Sequence, residues 1–156
     1  MKGNEKVIGA LNKALHDELT AIVQYMVQAE ICENWGYGRL AGFTKARAMT
    51  EMHHAERLIE RIIFLNGTPN VSVPLAPEVG DTVQKQLEAD LASEDGAIRE
   101  YNQDVALCAK EGDAGSKDLF EALLADEEKH ADFLEAQLHA IKEMGIGAYL
   151  SQQMGK

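Results

Sequence analysis

The chain has 156 residues, a length that suits one domain able to bury a core without disulfides. Its formal net charge of −11 excludes a nucleic-acid partner and favours cations over anions. Cys32 and Cys108 show no CxxC spacing, so a thiolate metal site and a redox pair are both excluded, and reduced thiols in the cytoplasm are expected. No apolar run approaches the ~20 residues of a membrane span. The N-terminal MKGNEKVIGALNKALHDEL is charged too often for a secretory signal.

Asn4 is a suitable N-cap for a first helix. From there Ile8, Leu11, Leu15, Leu19, Ile22, Tyr25, Met26 and Ala29 recur at helical spacing, up to about Asn34. Trp35-Gly36-Tyr37-Gly38 ends it, with Trp35 expected to anchor the turn. A second helix is predicted from about Arg39 to Leu65, followed by Gly67 and Pro69 as stop signals. The segment NGTPNVSVPLAPEVG holds all three prolines and no periodicity, and reads as a linker. Asp81 with Gln84 resembles a capping box that opens a third helix running to about Lys110. EGDAGS is the next turn, and a fourth helix is predicted from about Lys117 to Met144. Gly145 and Gly147 then precede a short fifth helix within AYLSQQM.

The first two helices should be antiparallel, as should the third and fourth. The linker can stretch over roughly 50 Å. That spans the ~40 Å bundle and would set the second and third helices parallel. The expected fold is therefore all-α, a four-helix bundle with one long crossover, filling residues 1–156 as a single domain.

Each long helix breaks its apolar seam with acid. Glu18 sits between Leu15 and Ile22, and Glu94 between Leu91 and Ile98. Glu51 with His54 interrupts the second helix, and Glu127 with His130 the fourth. Glu18 to Glu94, Glu51 to Glu127 and His54 to His130 are each 76 residues apart, so the chain repeats one pattern: a helix with a lone Glu, then a helix with Glu-x-x-His. The i, i+3 spacing puts Glu and His on one helical face, within reach of one metal ion. Two Glu can bridge two ions, and four carboxylates balance two divalent cations. Oxygen and imidazole donors suit iron or manganese. One Glu-x-x-His on a solvated face would carry no message; a buried cluster of four acids without metal would be very costly.

HDELTAIVQY, ENWGYGRL, EMHHAERLIERIIFLNGTPN, LFEALLADEEKHADFLEAQL and the closing MGIGAYL resemble the bacterioferritin family, a ferritin-like group, over essentially the whole chain. The resemblance implies iron storage and detoxification. Two iron ions bind per subunit, with Glu18 and Glu94 as terminal ligands, His54 and His130 as imidazole ligands and Glu51 and Glu127 as bridges. Such a ferroxidase turns Fe(II) into Fe(III) with O2 or H2O2. It implies a homo-oligomeric shell of 24 subunits built from two-fold dimers, and an electron-donating ferredoxin as a further partner. It also implies one heme b per two subunits, ligated by Met52 and its copy in the neighbouring subunit. From spacing alone Met52 points about 100° away from the metal seam, where it could equally pack in an apolar interface.

The chain departs from some similar proteins where those carry a His and an Asp for a further, cavity-side iron. The corresponding positions are Ala46 and Thr50, so that inner site is not expected. Tyr25 is a candidate phenol beside Glu94 or Glu18, and His16, His53 and His139 are expected to be solvated. The competing readings are a di-iron oxygenase or peroxidase acting on an organic substrate, which needs an apolar pocket beside the metals, and a heme electron-transfer module.

Overall fold

The computed structural model describes residues 1–156 and is built of helices: α1 (Glu5–Asn34), α2 (Gly38–Phe64), α3 (Val83–Lys110), α4 (Ala114–Met144) and α5 (Ile146–Ser151). α1 starts where expected, because the Asn4 side chain accepts from the Lys6 and Val7 amides. α3 is capped one residue later than the sequence suggests. Thr82, in extended backbone, accepts the Lys85 amide at 3.1 Å, while Asp81 stays exposed and pairs with the Lys85 ammonium. α4 begins three residues earlier than expected, since Asp113 already caps the Ser116 amide at 2.9 Å. Trp35 does not anchor the first turn. It is 40 % exposed and touches Tyr37 edge-on; the turn is made instead by Gly36, at φ +88°.

The crossover lies along α1. Asn12 bonds the Thr68 carbonyl and the Asn70 amide, His16 meets the Pro74 carbonyl at 3.1 Å, and Gln24 accepts the Glu78 amide. Since both numberings increase together, this strand runs beside α1 in the same direction and returns the chain to the far end of the bundle. His16 is thus engaged with the crossover rather than simply solvated. α3 then runs antiparallel to α1, as the Cys32–Gln86, Gln24–Asp90 and Lys13–Glu100 contacts require. α2 and α3 are consequently parallel, as the linker length predicted. No helix is long and apolar enough to cross a membrane.

The apolar core is divided. One cluster, with Val7, Leu11, Leu15, Leu58, Ile62, Phe120 and Leu123, fills the end near the α1 N-terminus. A second, with Leu40, Val83, Leu87, Leu134 and Tyr149, fills the other end. Between them lies a buried polar belt of Glu18, Gln24, Gln28, Glu51, His54, Asp90, Glu94, Glu127 and His130.

Candidate metal centre

The six predicted ligands converge in the belt. Glu18, Glu51, His54 and Glu127 form one set of donors and Glu51, Glu94, Glu127 and His130 a second, with the atoms of each set within 4.8 Å of one another. All six residues are buried. Glu51 and Glu127 belong to both sets, which is the arrangement two bridging carboxylates require. Helix periodicity explains the convergence: each His lies three residues beyond its Glu, on the same inward face.

Glu94 Oε2 is buried with no polar partner, and Glu18 Oε2 has only His54 Nδ1, at 3.6 Å. Glu51 Oε1 and Glu127 Oε1 face only the cationic Arg47 and His54 side chains. Buried acceptors left without full hydrogen bonding carry a desolvation cost, and four carboxylates turned inward in this way fit a site shaped for cations. His54 turns Nδ1 towards Glu18, Glu51 and Glu127, at 3.6, 3.3 and 3.2 Å, while its Nε2 is held by Asp126 at 2.9 Å. A carboxylate behind a ligating imidazole fixes ring orientation and tautomer. His130 is oriented by Glu94, 2.9 Å from Nδ1, and by the edge of the Tyr25 ring.

Without metal the acids share protons. Burial pushes the Glu18 carboxyl well above its usual range, with the Glu51 carboxylate adding to it. Burial likewise raises Glu127, reinforced by its contact with Glu94. Burial acts upward on Glu51 and Glu94 too but is outweighed: Glu18, His54 and Arg47 hold Glu51 low, and Glu127 and His130 hold Glu94 low. Burial opposes the charge on His54, but three surrounding carboxylates raise it far above the ordinary histidine range. In the metal-free belt the Arg47 and His54 cations favour the ionised form of Glu51, while burial favours the protonated form of Glu18 and Glu127.

Tyr25 donates to Glu94 at 2.7 Å, as one of the two alternatives read from the sequence. Three neighbours were not anticipated. Tyr101 donates to Glu18. Asp126 supports His54. Arg47 reaches into the belt, against Glu51 and, at 2.9 Å, Glu127. Tyr101 could have been found, because it follows Tyr25 by the same 76 residues that relate the ligands. Arg47 could have been suspected from its i, i+4 spacing to Glu51.

Met52 lies outside the centre, 37 % exposed, on the stripe of α2 that carries Lys45 and Met49. The Lys45–Glu30 ion pair sets this stripe beside α1 and brings Met26, also exposed, level with Met49. Ala46 is exposed, and the Thr50 hydroxyl is tied to the Ala46 carbonyl, so neither offers a donor for an inner iron.

A cavity of about 340 Å³ opens between α1 and α3 and reaches Glu18, Glu51, Glu94 and Glu127. Its outer walls mix charges, with Asp17 and Glu100 paired to Lys13, and Arg99, Gln103 and Asp104 nearby, alongside several alanines.

Known proteins share this plan. Residues 8–144 match the model of the ferritin-like domain family. The chain is 46 % identical to the bacterioferritin of Brucella melitensis, over 96 % of this chain and 92 % of the relative. It is 43 % identical to that of Rhodobacter capsulatus, over 93 % and 90 %. The bacterioferritin of Mycolicibacterium paratuberculosis is 40 % identical over 97 % and 96 %. A helical bundle with a carboxylate and imidazole belt at its centre, matched along nearly its whole length by these relatives, belongs to the bacterioferritins within the ferritin-like family.

Proposed function

We propose that the chain is an iron-storage subunit, one ferritin-like domain over residues 1–156, that oxidises Fe(II) at its central belt. The observation that carries this reading is the pair of buried donor sets that share Glu51 and Glu127. Fe(II) is the substrate. Glu18 and His54 hold one ion, Glu94 and His130 the other, and Glu51 and Glu127 lie between them. Each Fe(II) gives up one electron. Dioxygen takes both, with two protons, to give hydrogen peroxide; hydrogen peroxide takes both, with two protons, to give two waters.

The residues have separable tasks. Four carboxylates balance the four positive charges of two Fe(II) and favour the ferric product further, since each oxidation adds a charge they already face. Asp126 keeps the His54 imidazole oriented. Tyr25 and Tyr101 pin the terminal carboxylates by one oxygen and leave the other free. The cavity between α1 and α3 gives ions a route to the belt carboxylates.

The residues around Met52 fit heme b. The thioether is exposed among Met26 and Met49, an apolar face left open on a single chain. Met52 would hold the heme together with its copy from a second chain related by a two-fold axis. Heme supplies an electron-carrying group, and a ferredoxin is the partner that would load it. Two-fold dimers of this kind are the building block of a 24-subunit shell that keeps the ferric product inside.

Stopped-flow oxidation of Fe(II) by the parent and by Glu94→Ala tests the central claim. Fast oxidation should be lost in the variant while helical content and assembled mass stay unchanged. Equal rates in the two proteins would remove the belt from the chemistry.

A further inference from the structure

The two donor sets are related by the 76-residue repeat, but their surroundings are not. Arg47, one helical turn before Glu51, places its Nη2 against Glu51, 2.9 Å from Glu127 and 3.9 Å from Glu94. Those are the three carboxylates of the set that includes His130. The residue 76 positions on from Arg47 is Leu123, a fully buried part of the apolar core. The His54 set therefore has no arginine of its own, although it shares Glu51 and Glu127. The guanidinium is also incompletely satisfied, for its Nε is buried without a hydrogen-bond partner. The guanidinium is held chiefly by the charge of the Glu51 and Glu127 carboxylates, so a cation that neutralises them removes what holds it.

We infer that Arg47 is a built-in counter-cation that occupies the His130 half of the centre, so that the first divalent ion enters the His54 half and the second must displace the guanidinium. The inference rests on the metal-centre reading proposed above. The guanidinium faces Glu51 Oε1 and Glu127 Oε2 while His54 faces the other oxygen of each, so an ion in the His130 half must take the two oxygens that Arg47 now holds. Arg47 thus makes two chemically similar positions unequal. It also keeps the metal-free belt from accumulating unbalanced acid, and gives the centre a loading order. Its side chain is 10 % exposed, so it has an edge through which to swing towards solvent.

Calorimetric titration of the metal-free full-length protein with Zn²⁺ alone, which undergoes no redox chemistry, tests this. The parent should bind two ions per chain in two resolved steps, the second at least ~10-fold weaker. In Arg47→Gln the second step should strengthen at least ~10-fold more than the first, bringing the two together. His54→Ala should abolish the tight step and His130→Ala should leave it. Two equal steps in the parent overturn the inference without recourse to any variant, and so does a second step unchanged in Arg47→Gln. Loss of the tight step in His130→Ala rather than His54→Ala overturns the assigned order. If neither parent nor variant binds Zn²⁺, the metal-centre reading itself falls, which separates that failure from a failure of the role given to Arg47.

Discussion

Tyr25 and Tyr101 stand 76 residues apart, and each donates its phenol across the bundle to the terminal carboxylate of the other half: Tyr25 to Glu94, Tyr101 to Glu18. Burial is the largest influence that keeps both phenols protonated, and the facing carboxylates add to it, so both remain donors. Tyr101→Phe removes one partner and strands a buried carboxyl oxygen. The metal-free protein should lose about 1–3 kcal/mol. In calorimetry this is a fall of roughly 2–4 °C in the melting midpoint per kcal/mol. The deficit should shrink when Zn²⁺ is present, since a bound ion re-engages the carboxylate.

Asp90 makes stability depend on pH. Burial raises its carboxyl from 3.8 to about 7, against the opposing hydrogen bond from Gln24. Between those values the folded protein binds more protons than the unfolded chain. Stability must therefore fall as pH rises through this window. Asp90→Asn keeps an acceptor for Gln24 and removes the charge. Urea unfolding at pH about 5 and about 8 should show the variant gaining on the parent at the higher pH, by on the order of 1–3 kcal/mol. A pH-independent difference would remove Asp90 as the cause.

Met52→Leu keeps volume and apolarity, so folding and assembly should survive. Heme absorbance after reconstitution should disappear. A variant retaining one heme per two chains would exclude Met52 as the ligand.

Ala46 and Thr50 bear on how iron moves inwards. A methyl group and a hydroxyl already committed to the Ala46 carbonyl offer no imidazole or carboxylate to a cavity iron. Iron should then pass through the central belt itself, with ferric product leaving and Fe(II) replacing it. His130 is the ligand expected to swing, because a neutral imidazole releases ferric iron more readily than a carboxylate. Centres loaded with ⁵⁷Fe and then given excess ordinary Fe(II) should lose their label within a few turnovers. A retained label would mean a fixed pair of ions and another route for storage.

The helices and the convergence of the six acids and histidines were legible in the sequence because both obey a period. Apolar residues repeat with the helical turn, and the six donors repeat at 76. What stayed hidden has no period. Arg47 carries an ordinary charge at an ordinary helical position, and only the packing of α2 on α4 sends it inwards to Glu127. Asp126 acquires a role from the same packing. The α3 cap was misplaced by one residue because Asp81 and Thr82 are both good capping types; the extended backbone of Thr82 decides between them. Trp35 shows the opposite error, a large apolar residue at a turn that the fold leaves outside.

The division of the core into two apolar clusters gives the molecule a waist. Val7, Leu58 and Phe120 lock one end and Leu40, Leu87 and Leu134 the other, while the middle is held by hydrogen bonds and ion pairs among buried polar side chains. On the proposed reading, bound ions would add ligation from all four helices at a single level. Loading the centre therefore stitches together the part of the bundle that packing leaves weakest, and amide exchange should slow most around Glu51 and Glu127, far from either end.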